Sequence, residues 1–181
     1  MSEFTFVTLQ YESGDWDSAP LLPSNIIDTI ARYTSIPVTP SGVIVPLASP
    51  DLMRFPFAFL TGHLPVRFTS AERDRLREWI ARGGFLFVDD HNHDIDGAFH
   101  KTVTEEIARA VGPLVELPNS NALYKSFFTF ADGPPAKALP RRAPHAVRVD
   151  DRGAKAAVED QHERDAGRAR RENALSTANV N

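Results

Sequence analysis

The sequence contains no cysteine, and this absence excludes several kinds of chemistry. Disulfide bonds, thiolate zinc sites and a cysteine nucleophile all need a thiol, so none of them can exist in this chain. A chain without cysteine suits a reducing or an oxidising compartment equally well. The absence therefore restricts the chemistry without indicating a location.

The chain also lacks a long apolar run and a stripe of basic residues. No apolar stretch reaches the roughly 20 residues of a membrane-spanning helix. The first predicted strand begins close to Met1, which leaves no room for an export signal. We expect a cytoplasmic protein, or a periplasmic one if an upstream signal is missing. Because the 181 residues carry a net charge of -4, we expect neither nucleic acid nor a membrane as a partner.

Aromatic residues are absent from the last quarter of the chain. All 12 Phe, 3 Tyr and 2 Trp lie at or before Phe130, and no Ile or Met follows it. A segment with few apolar side chains and dense mixed charge cannot offset the entropy cost of ordering its backbone. We therefore predict a folded domain at residues 1–134, which holds every strand, and a disordered or aberrant polar tail at residues 135–181. The tail is interpreted as a solvated segment, as a frameshift product, or as a basic arm for an acidic partner.

Short apolar runs alternate with amphipathic helices before the tail. Strands are predicted at residues 4–11, 43–45, 57–61, 85–88 and 114–117, and helices after the caps Ser24 and Thr69 and at residues 102–111. Thr69 and Glu72 have the spacing of a capping box. Alternation of strands and helices predicts an α/β fold with a three-layer, flavodoxin-like parallel sheet. The first strand is expected to be central, with the third and fourth beside it.

Five strings of the sequence together resemble one bacterial family, the domain of unknown function 4159. They are FTFVTLQY at residues 4–11, GDWD at 14–17, LTGH at 60–63, GGFLFVDD at 83–90 and LYKSFF at 123–128. The resemblance covers roughly residues 3–133 and implies a fold related to class I glutamine amidotransferases and ThuA-like proteins, without an established activity. Family members usually continue with aromatic-containing strands beyond the position of Phe130. This departure favours a missing or frameshifted C-terminal part and an incomplete sheet.

Polar side chains follow the first, third and fourth predicted strands. Ligands of open α/β sheets bind at the carboxyl ends of the strands. We therefore predict a small-molecule crevice, and we expect the His63 and Asp89 side chains to lie within about 8 Å of each other, since neighbouring strands are only ~4.8 Å apart. The crevice residues are Tyr11, Asp15, Trp16, His63, Asp89 and Asp90.

Three of these side chains also have a structural interpretation. His63 could act as a base or a metal ligand, or it could simply bond Asp89 or Asp90. Trp16 could stack on a planar ligand or pin a loop. Asp89 could be poised as an acid or base by a neighbouring carboxylate, or it could cap backbone amides. The Phe127 and Phe128 pair is interpreted as core.

A cluster of potential metal ligands follows the fourth strand. It contains Asp89, Asp90, His91, His93, Asp94, Asp96 and His100. Neutral imidazoles and carboxylates bind divalent metals, so His91 and His93 could hold one ion together with Asp89 or His63. A polar loop whose aspartates stabilise turns is the alternative. Two functions follow: a small-ligand-binding module with no certain cofactor, or a metal-assisted hydrolase. Whether the chain is an enzyme, and its oligomeric state, are left open.

Overall fold

A computed structural model describes residues 3–92, 94–118, 120–125, 146–149 and 155–159 of the chain. In these residues, seven strands form one sheet in the order β2-β1-β3-β4-β7-β6-β5. The strands are β1 (Val7–Gln10), β2 (Val43–Pro46), β3 (Phe57–Gly62), β4 (Phe85–Asp90), β5 (Val115–Glu116), β6 (Ala146–Val149) and β7 (Lys155–Glu159). The α-helices are α1 (Leu22–Tyr33), α2 (Ser70–Ala81) and α3 (Ala98–Val111), and short 3-10 helices lie at Pro50–Arg54 and Ala122–Lys125.

The first four strands form a parallel sheet in the order β2-β1-β3-β4. An α-helix or a 3-10 helix lies between each pair of consecutive strands, as parallel connections require. This arrangement confirms the predicted flavodoxin-like α/β fold. β3 and β4 pair from Phe57↔Phe85 to Gly62↔Asp90, so both strands end at the same edge of the sheet.

Two expectations about the strands are wrong. β4, not β1, is the middle strand of the seven. Two strands also lie beyond the predicted domain boundary at residue 134. β7 pairs in parallel with β4, and β6 pairs antiparallel with both β7 and β5. Main-chain ladder bonds do not need aromatic side chains, and the strings AVRV and KAAVE of β6 and β7 contain none.

The remainder of the predicted tail lies outside the described residues, as do Phe127 and Phe128. The domain boundary at residue 134 therefore stays a prediction. Within the described part of the chain, no helix is both long enough and apolar enough to cross a membrane.

Local sequence determines where the helices begin. The capping box at α2 is confirmed, since the Thr69 hydroxyl accepts the Glu72 N–H and the Glu72 carboxylate accepts the Thr69 N–H. Helix α1 begins at Leu22 rather than after Ser24, because Pro23 fits the first turn of a helix. The Ser24 hydroxyl instead donates to the Leu21 carbonyl at 2.9 Å. Helix α3 begins at Ala98, four residues before its predicted start.

The two faces of the sheet carry different clusters of buried residues. Leu9, Leu60 and Val88 belong to the main core, which also contains residues of α2 and α3. Phe6 and Phe59 pack with Ile27 of α1 on the opposite face. Side chains alternate between faces along a strand, and this alternation also divides the polar residues at the carboxyl ends.

Candidate functional site

The loop after β1 is fastened to the end of β3 through the Asp15 carboxylate. Oδ1 of Asp15 accepts the backbone N–H groups of His63 at 2.9 Å and Leu64 at 3.0 Å. Oδ2 lies 2.8 Å from Nδ1 of the His63 ring. Three hydrogen bonds therefore hold one carboxylate at the edge where β3 ends.

Gly62 allows this close approach. A Cβ atom at this position would lie 2.8 Å from the Phe99 ring and 3.0 Å from Oδ1 of Asp15, and it would also meet the Tyr11 hydroxyl. That hydroxyl donates to the Thr61 carbonyl at 2.9 Å. Burial, followed by the charge of Asp15, raises the pKa of Tyr11. Tyr11 is therefore a buried, neutral support beneath the loop.

Hydrogen bonding keeps Asp15 ionised and determines which nitrogen of the His63 ring carries a proton. Burial alone would raise the pKa of Asp15, but the amides of Leu64 and His63 and the His63 side chain outweigh it, so the pKa lies below its usual range. An ionised carboxylate can only accept hydrogen bonds. Nδ1 of His63 must therefore carry the proton, and Nε2 has no hydrogen-bond partner within the described residues.

His91 lies against His63. The centroids of the two rings are 4.4 Å apart, and the ring planes are inclined by 53°. Burial, assisted by the nearby His63, lowers the pKa of His91. Its imidazole is therefore neutral at pH 7 and can donate one hydrogen bond and accept another. We call Asp15, His63 and His91 the edge group.

A cleft of about 370 Å³ adjoins the edge group. It lies between the loop after β1 and the first turns of α1. Among the described residues, its lining is Ser18, Ala19, Pro20, Leu21, Leu22, Asn25, Ile26 and His91. Five of these eight residues are apolar, and the lining has no carboxylate and no Lys or Arg. The cleft can therefore accept an apolar group, and its lining also contains one amide and one imidazole side chain.

The remaining predicted site residues take different positions. Asp89 and Asp90 are the last two residues of β4, both buried, and as neighbours in a strand they face opposite sides of the sheet. The Asn92 N–H donates to Asp90 at 3.0 Å, and the Asn92 side chain donates to the His63 carbonyl at 2.8 Å. The His63 ring bonds Asp15 rather than Asp89 or Asp90. Trp16 packs against the main core, as expected of an aromatic that pins a loop.

A metal site is not seen among the residues that the structure describes, where no three His, Asp or Glu side chains are placed to hold an ion. His93 lies outside those residues. Asp94, in the same loop, accepts the Asp96 N–H at 3.0 Å and stabilises a turn. The ion site at His91 and His93 therefore stays a prediction.

Sequence reasoning missed the cleft itself. Ser18 and Asn25 belong to no motif, and Leu21 and Ile26 have the composition of an ordinary helix. The crevice was expected at the ends of β1, β3 and β4, whereas the cleft lies under the start of α1. Only His91 was identified beforehand, and then as a metal ligand.

The fold and the edge group define an α/β domain with a polar site at the carboxyl edge of a parallel sheet. The chain belongs to the family described as domain of unknown function DUF4159, whose model matches residues 5–176. The match includes most of residues 135–181 and gives no support to a frameshift within them. A comparison with curated proteins finds no match.

Proposed function

We propose that this domain binds a small, uncharged and partly apolar molecule in the cleft beside His91. The observation that carries the proposal is the position of the cleft, which adjoins the edge group at the carboxyl edge of the sheet, where open α/β folds bind ligands. The cleft is open to solvent, and its volume of about 370 Å³ is large enough for a small molecule. The lining favours an uncharged ligand because it offers no ionic partner.

We also infer a structural relationship to class I glutamine amidotransferases and ThuA-like proteins. The parallel order β2-β1-β3-β4 supports this relationship. The glutaminase reaction is not part of the inference, because the chain has no cysteine to serve as its nucleophile.

The cleft is tested with a fragment library of small uncharged molecules, screened against the full chain by saturation-transfer NMR. We expect hits whose signals disappear in Ala19→Trp, because the indole fills the cleft. Ala81→Trp is the matched control, since Ala81 is exposed at the end of α2, and it should retain the hits. Hits that survive Ala19→Trp, or the absence of any hit, would contradict the proposal.

The same preparation tests the metal alternative. The full chain, purified without a His tag, is analysed for metal by mass spectrometry. If the domain binds a small molecule in the cleft without a metal, we expect the purified protein to be metal-free. A stoichiometric metal that is lost in His91→Ala would favour the metal-assisted hydrolase instead.

A further inference from the structure

We propose that His63 and Asp15 form an acid–base dyad, in which His63 is the catalytic base that activates water and Asp15 is the positioning residue. The inference deepens the proposed function and rests on it, since the molecule in the cleft is the substrate. The substrate class is a small uncharged ester or related acyl compound that water attacks. His91 connects the dyad to the cleft, because the centroid of its ring lies 4.4 Å from that of His63 and the same residue lines the cleft.

The hydrogen bonds around His63 orient its ring in the way that a general base requires. Asp15 binds Nδ1, so the unshared electron pair of the neutral ring is on Nε2. The His63 side chain is 38% exposed, which gives water access to the ring. When Nε2 takes up a proton, the imidazolium lies 2.8 Å from the Asp15 carboxylate and is stabilised by it.

Holding the loop after β1 against β3 does not require all three hydrogen bonds of Asp15. Oδ1 of Asp15 already fastens the loop to β3 through two backbone amides. The bond from Oδ2 to the ring adds a fixed orientation of the imidazole. A positioned imidazole is required for proton transfer and is unnecessary for holding the loop.

The proposed step balances with water as the only co-reactant. An O–H bond of water breaks, its proton bonds to Nε2, and its electron pair forms the new bond to the carbonyl carbon. The carbonyl π pair moves to the carbonyl oxygen. When that pair returns, the bond to the leaving oxygen breaks, and the proton on Nε2 passes to that oxygen, which leaves the ring neutral again. The products are a carboxylic acid and an alcohol or phenol.

Hydrolysis of p-nitrophenyl acetate by the full chain tests the dyad. We expect His63→Ala to lower kcat/KM by about 100-fold or more, since a general base contributes about 100- to 10,000-fold, and added imidazole to restore part of the rate. Asp15→Asn should lower kcat with little change in KM. The control His100→Ala, on α3 and outside the edge group, should retain the wild-type rate. Thermal unfolding of each variant shows whether it remains folded.

An independent measurement is the nitrogen-15 spectrum of His63, which should show the proton on Nδ1 in the wild type. A proton on Nε2, or a rate in folded His63→Ala equal to that of the wild type, would overturn the dyad. If fragments bind while His63→Ala hydrolyses the ester normally, the dyad fails and the binding proposal stands. If Ala19→Trp retains full ester hydrolysis that still depends on His63, the cleft fails as the substrate site.

Discussion

Asp15 is the residue on which the candidate site depends, because its carboxylate joins the loop after β1 to the end of β3. Both His63 and Leu64 donate backbone N–H groups to it. These bonds hold the pKa of Asp15 below its usual range, despite burial, which acts in the opposite direction. A carboxyl group whose pKa is lower in the folded than in the unfolded chain stabilises the fold above the unfolded pKa.

The pH dependence of stability tests this role. The contribution of Asp15 should be lost as the pH falls from about 4 through the lower folded pKa. We therefore expect the difference in free energy of unfolding between the wild type and Asp15→Asn to shrink from pH 5 to pH 3. Urea denaturation across that range measures it. A difference that stays constant would show that Asp15 makes no such contribution.

Gly62→Ala should destabilise the fold and disturb the edge group together. The added methyl group would meet Phe99 and Asp15, and overpacking of this kind costs about 1–3 kcal/mol. Gly83→Ala is the comparison, because its methyl group meets nothing within 4 Å and only its positive φ of 96° opposes the substitution. Urea denaturation gives both stabilities. The Nδ1–H signal of His63 should move in Gly62→Ala only, and its movement in both variants would contradict this account.

The identity of the site residues could be read from the sequence more easily than their contacts. Asp15 and His63 were both predicted to lie in the crevice, but they are 48 residues apart, and only the folded loop shows that they bond each other. The same limit applies to Asn92, whose side chain donates to the His63 carbonyl, 29 residues away along the chain. Long-range pairing depends on loop conformation, which no local pattern encodes.

At the scale of elements, a buried carboxylate joins α2 to α3. Glu106 is only 2% exposed and accepts hydrogen bonds from Arg73 at 2.9 Å and from Arg109 at 2.7 Å. Its neighbour Glu105 forms an exposed pair with the same Arg109 at 3.2 Å. Glu106 and Glu105 are therefore adjacent on one helix, but Glu106 is buried and paired with the half-buried Arg73, whereas Glu105 is exposed.

Glu106→Ala should lower the free energy of unfolding by about 2 kcal/mol or more, because it leaves Arg73 without its buried partner. The matched control Glu105→Ala should change it by less than about 1 kcal/mol, as exposed pairs contribute little. Chemical denaturation of the two variants measures the difference. Equal effects would show that the Arg73–Glu106 pair between the helices adds nothing to stability.

Prediction of elements succeeded where the signal is local. Thr69, Glu72 and Gly83 lie within fifteen residues of one another and define α2 without help from the rest of the chain. The first strand was predicted too long, because residues 4–6 have strand composition but form only an isolated bridge from Phe4 to Val38. β7 could not be predicted, because its place beside β4 is set by main-chain pairing between distant segments.

At the scale of the whole molecule, β7 makes the C-terminal segment part of the sheet. A chain ending at residue 144 lacks β6 and β7 and exposes the edge of β4, which the full chain covers. We expect a lower midpoint of thermal unfolding and increased light scattering, because unpaired strand edges promote association. A chain ending at residue 160 keeps both strands and is the control. Equal midpoints for the two chains would contradict the structural role of β7.

The position of β7 also has a consequence for synthesis on the ribosome. β4 is made as residues 85–90, but its partner is made only as residues 155–159. At a synthesis rate of about 5–20 residues per second, the edge of β4 stays unpaired for on the order of 4–14 seconds until β7 has been made. During that interval the nascent chain exposes a strand edge to its neighbours.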